Sequence, residues 1–233
     1  IRWTPGGAPL VTMPQLRFSG GALMLAALPL PLDRAAGVLS WDGQRAEIQQ
    51  VEAWHGGTFL RIDSTAGKSP AYFAIQPAQG VSWRLHLPHV SATRVIVNDD
   101  LERALPDSLK STVATLHPQG PFDLEMALDL KQFHTPHKET TASWKMDVAL
   151  KKNSIHTGVT MDQVTGHVHL LHGTWNGSTV LAEGYVDLDE ARVFELPLQK
   201  LSGPFTVIGN RILAGQPSWA SIPYSQDNPK REQ

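Results

Sequence analysis

Residues 121–131 read PFDLEMALDLK. Phe122, Leu124, Met126, Leu128 and Leu130 take every second position, and Asp123, Glu125 and Asp129 stand between most of them. A period of two sends successive side chains to opposite faces of a β-strand, so this segment predicts a strand with one oily and one wet face. The pattern continues on both sides. Upstream, VSWRLHLP (81–88) sets Val81, Trp83, Leu85 and Leu87 against Ser82, Arg84 and His86. Downstream, WKMDVALK (144–151) aligns Trp144, Met146, Val148 and Leu150. TFLRI (58–62) and STVLAEGYVDLD (178–189) alternate less strictly. Turn signals separate the runs: Asp42-Gly43, His55-Gly56-Gly57, Asn176-Gly177 and Gly209-Asn210. Strands this close in sequence join through hairpins, because parallel pairing needs a longer crossover. The expectation is a mainly β chain with antiparallel pairing.

One stretch departs from the pattern. In NDDLERALPDSLKSTVATLHPQG (98–120), Leu101, Ala104, Leu105, Leu109, Val113 and Leu116 recur at helical spacing behind Asn/Asp capping residues. Pro106 splits this stretch or opens a second helix. One or two short amphipathic helices are therefore expected around residues 99–117, lying against the sheet.

Composition narrows the function classes. The chain has 233 residues, 20 Lys+Arg against 22 Asp+Glu, and a formal net charge of −2. Phosphate-driven nucleic-acid binding calls for a basic chain, so no nucleic-acid partner is expected. With 41% hydrophobic and 18% charged residues, the chain is too apolar to be disordered. Cysteine is absent, which removes disulfides, thiol nucleophiles and Cys-based metal sites. The longest apolar run, Ala22 to Leu32, spans 11 residues with two prolines, short of the roughly 20 that a spanning helix needs. The chain starts at Ile1 without a signal-peptide pattern and reads as a segment of something longer. Residues 1–224 read as a single β-rich repeat domain and 225–233 as a polar tail.

An octet recurs three times: LPLDRAAG (30–37), VTMDQVTG (159–166) and LPLQKLSG (196–203). Each reads apolar-x-apolar-[Asp/Gln]-x-apolar-x-Gly and precedes a short alternating run, VLSW, HVHL or PFTV. The expected unit is an edge or crossing strand, a bend at a Gly that permits positive φ or close backbone approach, then a hairpin.

The repeated octets, GVLSWDGQRAEIQQVEAWHGGTFLRI (37–62) and GYVDLDEARVFELPLQKLSGPF (184–205) resemble the AsmA-like, TamB-type proteins of bacterial envelopes. The resemblance covers roughly residues 11–215 and lies in strand-and-turn grammar. It implies an extended, curved, gutter-like antiparallel sheet whose concave apolar face holds acyl chains, in a family associated with phospholipid movement between inner and outer membranes. It also implies a periplasmic or envelope location, membrane anchorage through a part of the protein not present in this chain, and the remainder of a larger envelope protein as partner. Some 12 to 15 strands laid in one row make about 55–70 Å of gutter. The lipid-facing candidates are Val81, Trp83, Leu85, Leu87, Phe122, Leu124, Met126, Leu128, Leu130, Trp144, Met146, Val148 and Leu150. The alternative reading buries that face against a second sheet, giving a closed β-sandwich with a structural, adhesive or glycan-binding role. Trp3, Trp41, Trp54 or Trp175 would then form an exposed aromatic platform.

Chemistry-bearing motifs are sparse. His167-x-His169 is a two-ligand geometry on a strand, with His172 close behind, and His134 and His137 share a loop. No neighbouring carboxylate set completes either group, and Asp162 is a loose candidate, so no metal or cofactor is expected. His55-Gly56-Gly57 lacks the G-x-S-x-G partner of an esterase and reads as a turn. AGKS (66–69) lacks the first Gly of a phosphate loop, since Ile62 stands there. Asp99-Asp100 cap a helix and Asp187 and Asp189 sit on a wet strand face, so no catalytic residue is named and the chain is expected not to be an enzyme.

Overall fold

The computed structural model describes residues 11–25, 28–64, 69–105, 107–135, 137, 139–209 and 211–215. Tail residues 225–233, Trp3 and most of AGKS lie outside them. The strands are β1 (Met13–Leu25), β2 (Leu28–Trp41), β3 (Arg45–His55), β4 (Thr58–Asp63), β5 (Ala71–Ile75), β6 (Val81–Val95), β7 (Phe122–Phe133), β8 (Thr140–His156), β9 (Thr160–Trp175), β10 (Val180–Val193), β11 (Leu196–Ile208) and β12 (Arg211–Ala214). Helices α1 (Asp99–Ala104) and α2 (Asp107–Leu116) stand between β6 and β7. All pairings are antiparallel, and all strands belong to one 12-stranded sheet.

The order is a meander, β1-β2-β3-β4-β6-β7-β8-β9-β10-β11-β12, with β5 pairing β3 and β6. β4 and β5 divide one position between those two strands. β4 pairs residues 50–55 of β3 and 90–93 of β6, while β5 pairs 45–48 and 83–86. Twelve strands therefore fill eleven positions, and eleven positions at 4.8 Å spacing extend about 48 Å. This is shorter than the 55–70 Å expected from sequence, because the strands number only twelve and the break after Asp63 interrupts one without adding a row.

The helical stretch breaks where Leu105 precedes Pro106. Leu105 is extended, at φ −75° and ψ 146°, the conformation that a following proline favours. The Asn98 side chain caps α1 by accepting from the Leu101 N–H at 2.9 Å.

The octets look different in three dimensions. Each is continuous with the run that follows it, in β2, β9 or β11, with Val159 of the second copy standing just before β9. Positive φ belongs to the fifth residue in every copy, at 50° for Arg34, 53° for Gln163 and 54° for Lys200, and to the closing Gly in the second copy alone, at 134° for Gly166. The closing Gly supplies close approach in the first two copies. A Cβ on Gly37 would strike the Phe18 ring at 2.9 Å, and one on Gly166 would strike the Asp187 and Leu188 backbone; Gly203 has open space. Arg94 in β6 (57°) and Lys152 in β8 (61°) share the left-handed conformation. Register shifts flank Arg34, Arg94, Lys152 and Gln163, while the β10 residues opposite Lys200 are shifted against β9. Apart from the one at Arg34, these bulges lie beside one cross-strand row, Val95–Phe122–Leu150–Gly166–Leu188–Leu201. A bulge bends its strand and increases its twist, so bulges aligned from strand to strand bend the sheet along a line.

Candidate functional site

Register carries the apolar alternation of single strands into rows that cross the sheet. Phe18, Gly37, Val51, Ile62, Val90, Met126, Met146, Leu170, Gly184, Phe205 and Ala214 are successive cross-strand partners, one in each of the eleven positions. Ala53, Leu60, Ala92, Leu124, Val148, Val168, Val186 and Gly203 form a second row, and Leu87, Leu128, Trp144, Gly173, Ala182, Val207 and Ile212 a third. A fourth passes through β5: Met13, Trp41, Ala46, Phe73, Leu85, Leu130, Ala142, Trp175 and Val180. These rows contain no charged residue. On the other face, Glu52, Arg61, Ser91, Glu125, Asp147, His169 and Tyr185 are likewise successive partners.

The structure brings twelve of the thirteen sequence candidates onto this apolar face. Val81 is the exception. A bulge sets it opposite Phe133, one step out of phase with the Trp83–Gln132 pair, so the simple alternation that grouped it with Trp83 fails there. Trp83 donates its indole N–H to Gln132 Oε1 at 2.9 Å.

Depth of burial distinguishes an open face from a closed core. Of the candidates, only Leu87 and Leu150 are buried; the others are intermediate. The largest side chains below 2% exposure are Val164, Val180, Asn153 and Thr206. A second sheet would interdigitate with this face and bury Leu, Met and Trp side chains completely. Among the described residues, the substantial strand-to-strand contacts all join sheet neighbours. The closed sandwich is absent from the described residues, which form a single sheet.

Three glycines keep the face low. Trp144, Phe18 and Phe205 are the cross-strand partners of Gly173, Gly37 and Gly184. A Cβ on Gly173 would collide with the Trp144 indole, and one on Gly184 would meet the Phe205 ring at 3.0 Å. Each ring thus lies over the neighbouring strand's glycine, where it covers backbone.

The helices cover part of the face. Leu109 of α2 packs on the cluster of Val180, Ala182 and Val207. α1 is anchored on β2 and α2 on β8, and β3 reaches α1 through its last residue. His55, at the end of β3, meets Pro31 O at 2.8 Å through Nδ1 and lies 3.8 Å from Asp100 through Nε2.

The wet face carries two polar clusters. In the first, Arg84 grips Asp129 through Nε (3.0 Å) and a terminal nitrogen (2.5 Å), and His86 Nδ1 joins at 2.9 Å. Arg45 lies 3.9 Å above the Tyr72 ring, which packs on His86. Burial pushes the Asp129 carboxyl up, but the Arg84 guanidinium, His86 and Lys131 outweigh it and hold the group below the usual carboxylate range. Asp123 is held down by Lys151 at 2.5 Å and by the Arg94 N–H.

The second cluster escaped the sequence reading. Asp147 of β8 is the cross-strand partner of His169, and its two carboxylate oxygens reach different rings. Oδ1 meets His167 Nδ1 at 2.9 Å, and Oδ2 meets His169 Nδ1. The expectation that no carboxylate completes the pair is thereby corrected, because the completing group arrives through strand register. Asp162 accepts from Ser154 Oγ instead, and the cross-strand partner of His172 is Glu183. His134 and His137 are exposed.

The remaining motifs are structural. Gly56, at φ 56°, turns β3 into β4. Asn176 Oδ1 accepts the Ser178 and Thr179 N–H groups in a turn. Trp41 and Trp175 belong to the apolar rows, whereas Trp54 packs against Phe59 in a tilted pair at 4.7 Å, beneath Arg34. All three are half-buried and form no common platform. No helix among the described residues is long and apolar enough to cross a membrane. Comparison with protein-family models, curated proteins and solved structures finds no match.

Proposed function

We propose that this chain is a non-enzymatic lipid-shielding segment of a larger AsmA-like envelope protein, and that its apolar face takes phospholipid acyl chains passing between membranes. The observation that carries the reading is the set of charge-free apolar rows, up to eleven strand positions long, with no second sheet over them among the described residues. An apolar face that stays half-exposed costs free energy in water, about 25 cal/mol for each Å2, and acyl chains remove that cost. The low profile left by the glycine–aromatic pairs suits a long flexible chain lying across the strands. At about 48 Å, the longest row exceeds the half-thickness of a roughly 30 Å hydrocarbon core threefold. The α1–α2 pair, fixed on β2 and β8, reads as a strap across such a trough. The segment would work in the periplasm, with its membrane anchor elsewhere in the whole protein.

Binding of a fluorescent phospholipid by the delipidated chain tests this directly. Saturable binding is expected, and Leu124→Glu with Val148→Glu should weaken it while Glu125→Gln leaves it unchanged. Failure of the folded wild-type chain to bind would dismiss the proposal.

A further inference from the structure

We propose that Asp147, His167 and His169 form a binding site for a divalent transition ion such as Zn2+. The site lies on the wet face, opposite the apolar rows, and the proposal does not rest on the lipid reading.

The placement follows from strand geometry. Residues two apart on β9 project to the same face, so His167 and His169 stand side by side. Their rings are 5.6 Å apart and nearly parallel, at 8°. Asp147, directly across from His169, lies between the two Nδ1 atoms. Three donor atoms, one from each residue, all fall within 4.8 Å of one another. Tyr185 stacks on the far side of His169 at 4.5 Å and fixes that ring. The cross-strand partner of His167 is Asp187, a further carboxylate beside the group.

The donor set selects the ion. Two imidazoles and a carboxylate, without thiolate, suit Zn2+, Ni2+ or Cu2+ better than Ca2+ or Mg2+. Tetrahedral bonds of about 2.1 Å set donors about 3.4 Å apart, so the widest pair closes by roughly 1.4 Å. Side-chain rotation supplies this, since the His167 and Asp147 side chains are 51% and 39% exposed. On binding, each imidazole turns an unprotonated Nδ1 to the ion and keeps its proton on Nε2. Three protein ligands leave one coordination position for water, which gives an accessible site.

Calorimetric titration of the intact chain with ZnCl2 at neutral pH should show one saturable equivalent. Asp147→Asn should weaken it at least about tenfold, His167→Ala with His169→Ala should abolish it, and His156→Ala should leave it unchanged. Circular dichroism checks that each variant folds. A second readout needs no substitution: Zn2+ should slow acylation of His167 and His169 by diethylpyrocarbonate, mapped by mass spectrometry, and leave His156 unaffected. Absence of saturable binding, equal binding by the double variant, or unaltered acylation of both histidines overturns the proposal.

Discussion

The fit of Trp144 over Gly173 shows how tightly single residues set the profile of the apolar face. Because the indole occupies the space of the missing Cβ, Gly173→Val must displace the ring or the strand. Overpacking of this kind costs about 1–3 kcal/mol, so the urea midpoint followed by tryptophan fluorescence should fall by a corresponding amount. Gly203, with open space around its Cβ position, provides the contrast: Gly203→Ala should move the midpoint much less. The alternation of PFDLEMALDLK made Leu124, Met126 and Leu128 readable as face residues from sequence. The glycine partners were not readable, because which Gly stands under which ring depends on a register set by bulges and turns.

Pairing of elements explains both what sequence reached and where it stopped. Period-two runs marked β6, β7 and β8, and the Leu105–Pro106 pair marked the break between helices. Val81 was misplaced because a bulge shifts phase without any residue type that announces it. The same blindness hid the seam of left-handed residues, where Arg34, Gln163 and Lys200 take a conformation usually assigned to Gly. Asp147 was visible on the wet face of β8, but its meeting with His167 and His169 required the β8–β9 register. The β6–β7 pair also carries a pH dependence. Asp129 is held below its ordinary range by Arg84, His86 and Lys131 against the opposing effect of burial. A depressed carboxylate contributes stability that is present above the unfolded-state value of about 3.9 and is lost as pH falls through the folded value. Denaturant midpoints measured at falling pH should therefore drop below about pH 4, and the gap between wild type and Asp129→Asn should narrow there. An unchanged gap across that range would remove Asp129 from the account.

Among the described residues the molecule is one sheet with a line of bulges and two short helices, and no second sheet covers its apolar side. The proposed function assigns the cover of this face to hydrocarbon, a reading the lack of charge along its rows supports. A photoreactive amino acid placed in turn at Leu124, Leu128 and Leu170, and at Glu125, Lys145 and Tyr185 on the opposite face, reads the occupant position by position. In bacterial cells expressing an envelope-targeted form of the chain, mass spectrometry after illumination should find phospholipid adducts at the first three positions and none at the second three. Equal capture on both faces, or no lipid at Leu124, Leu128 and Leu170, would contradict the account.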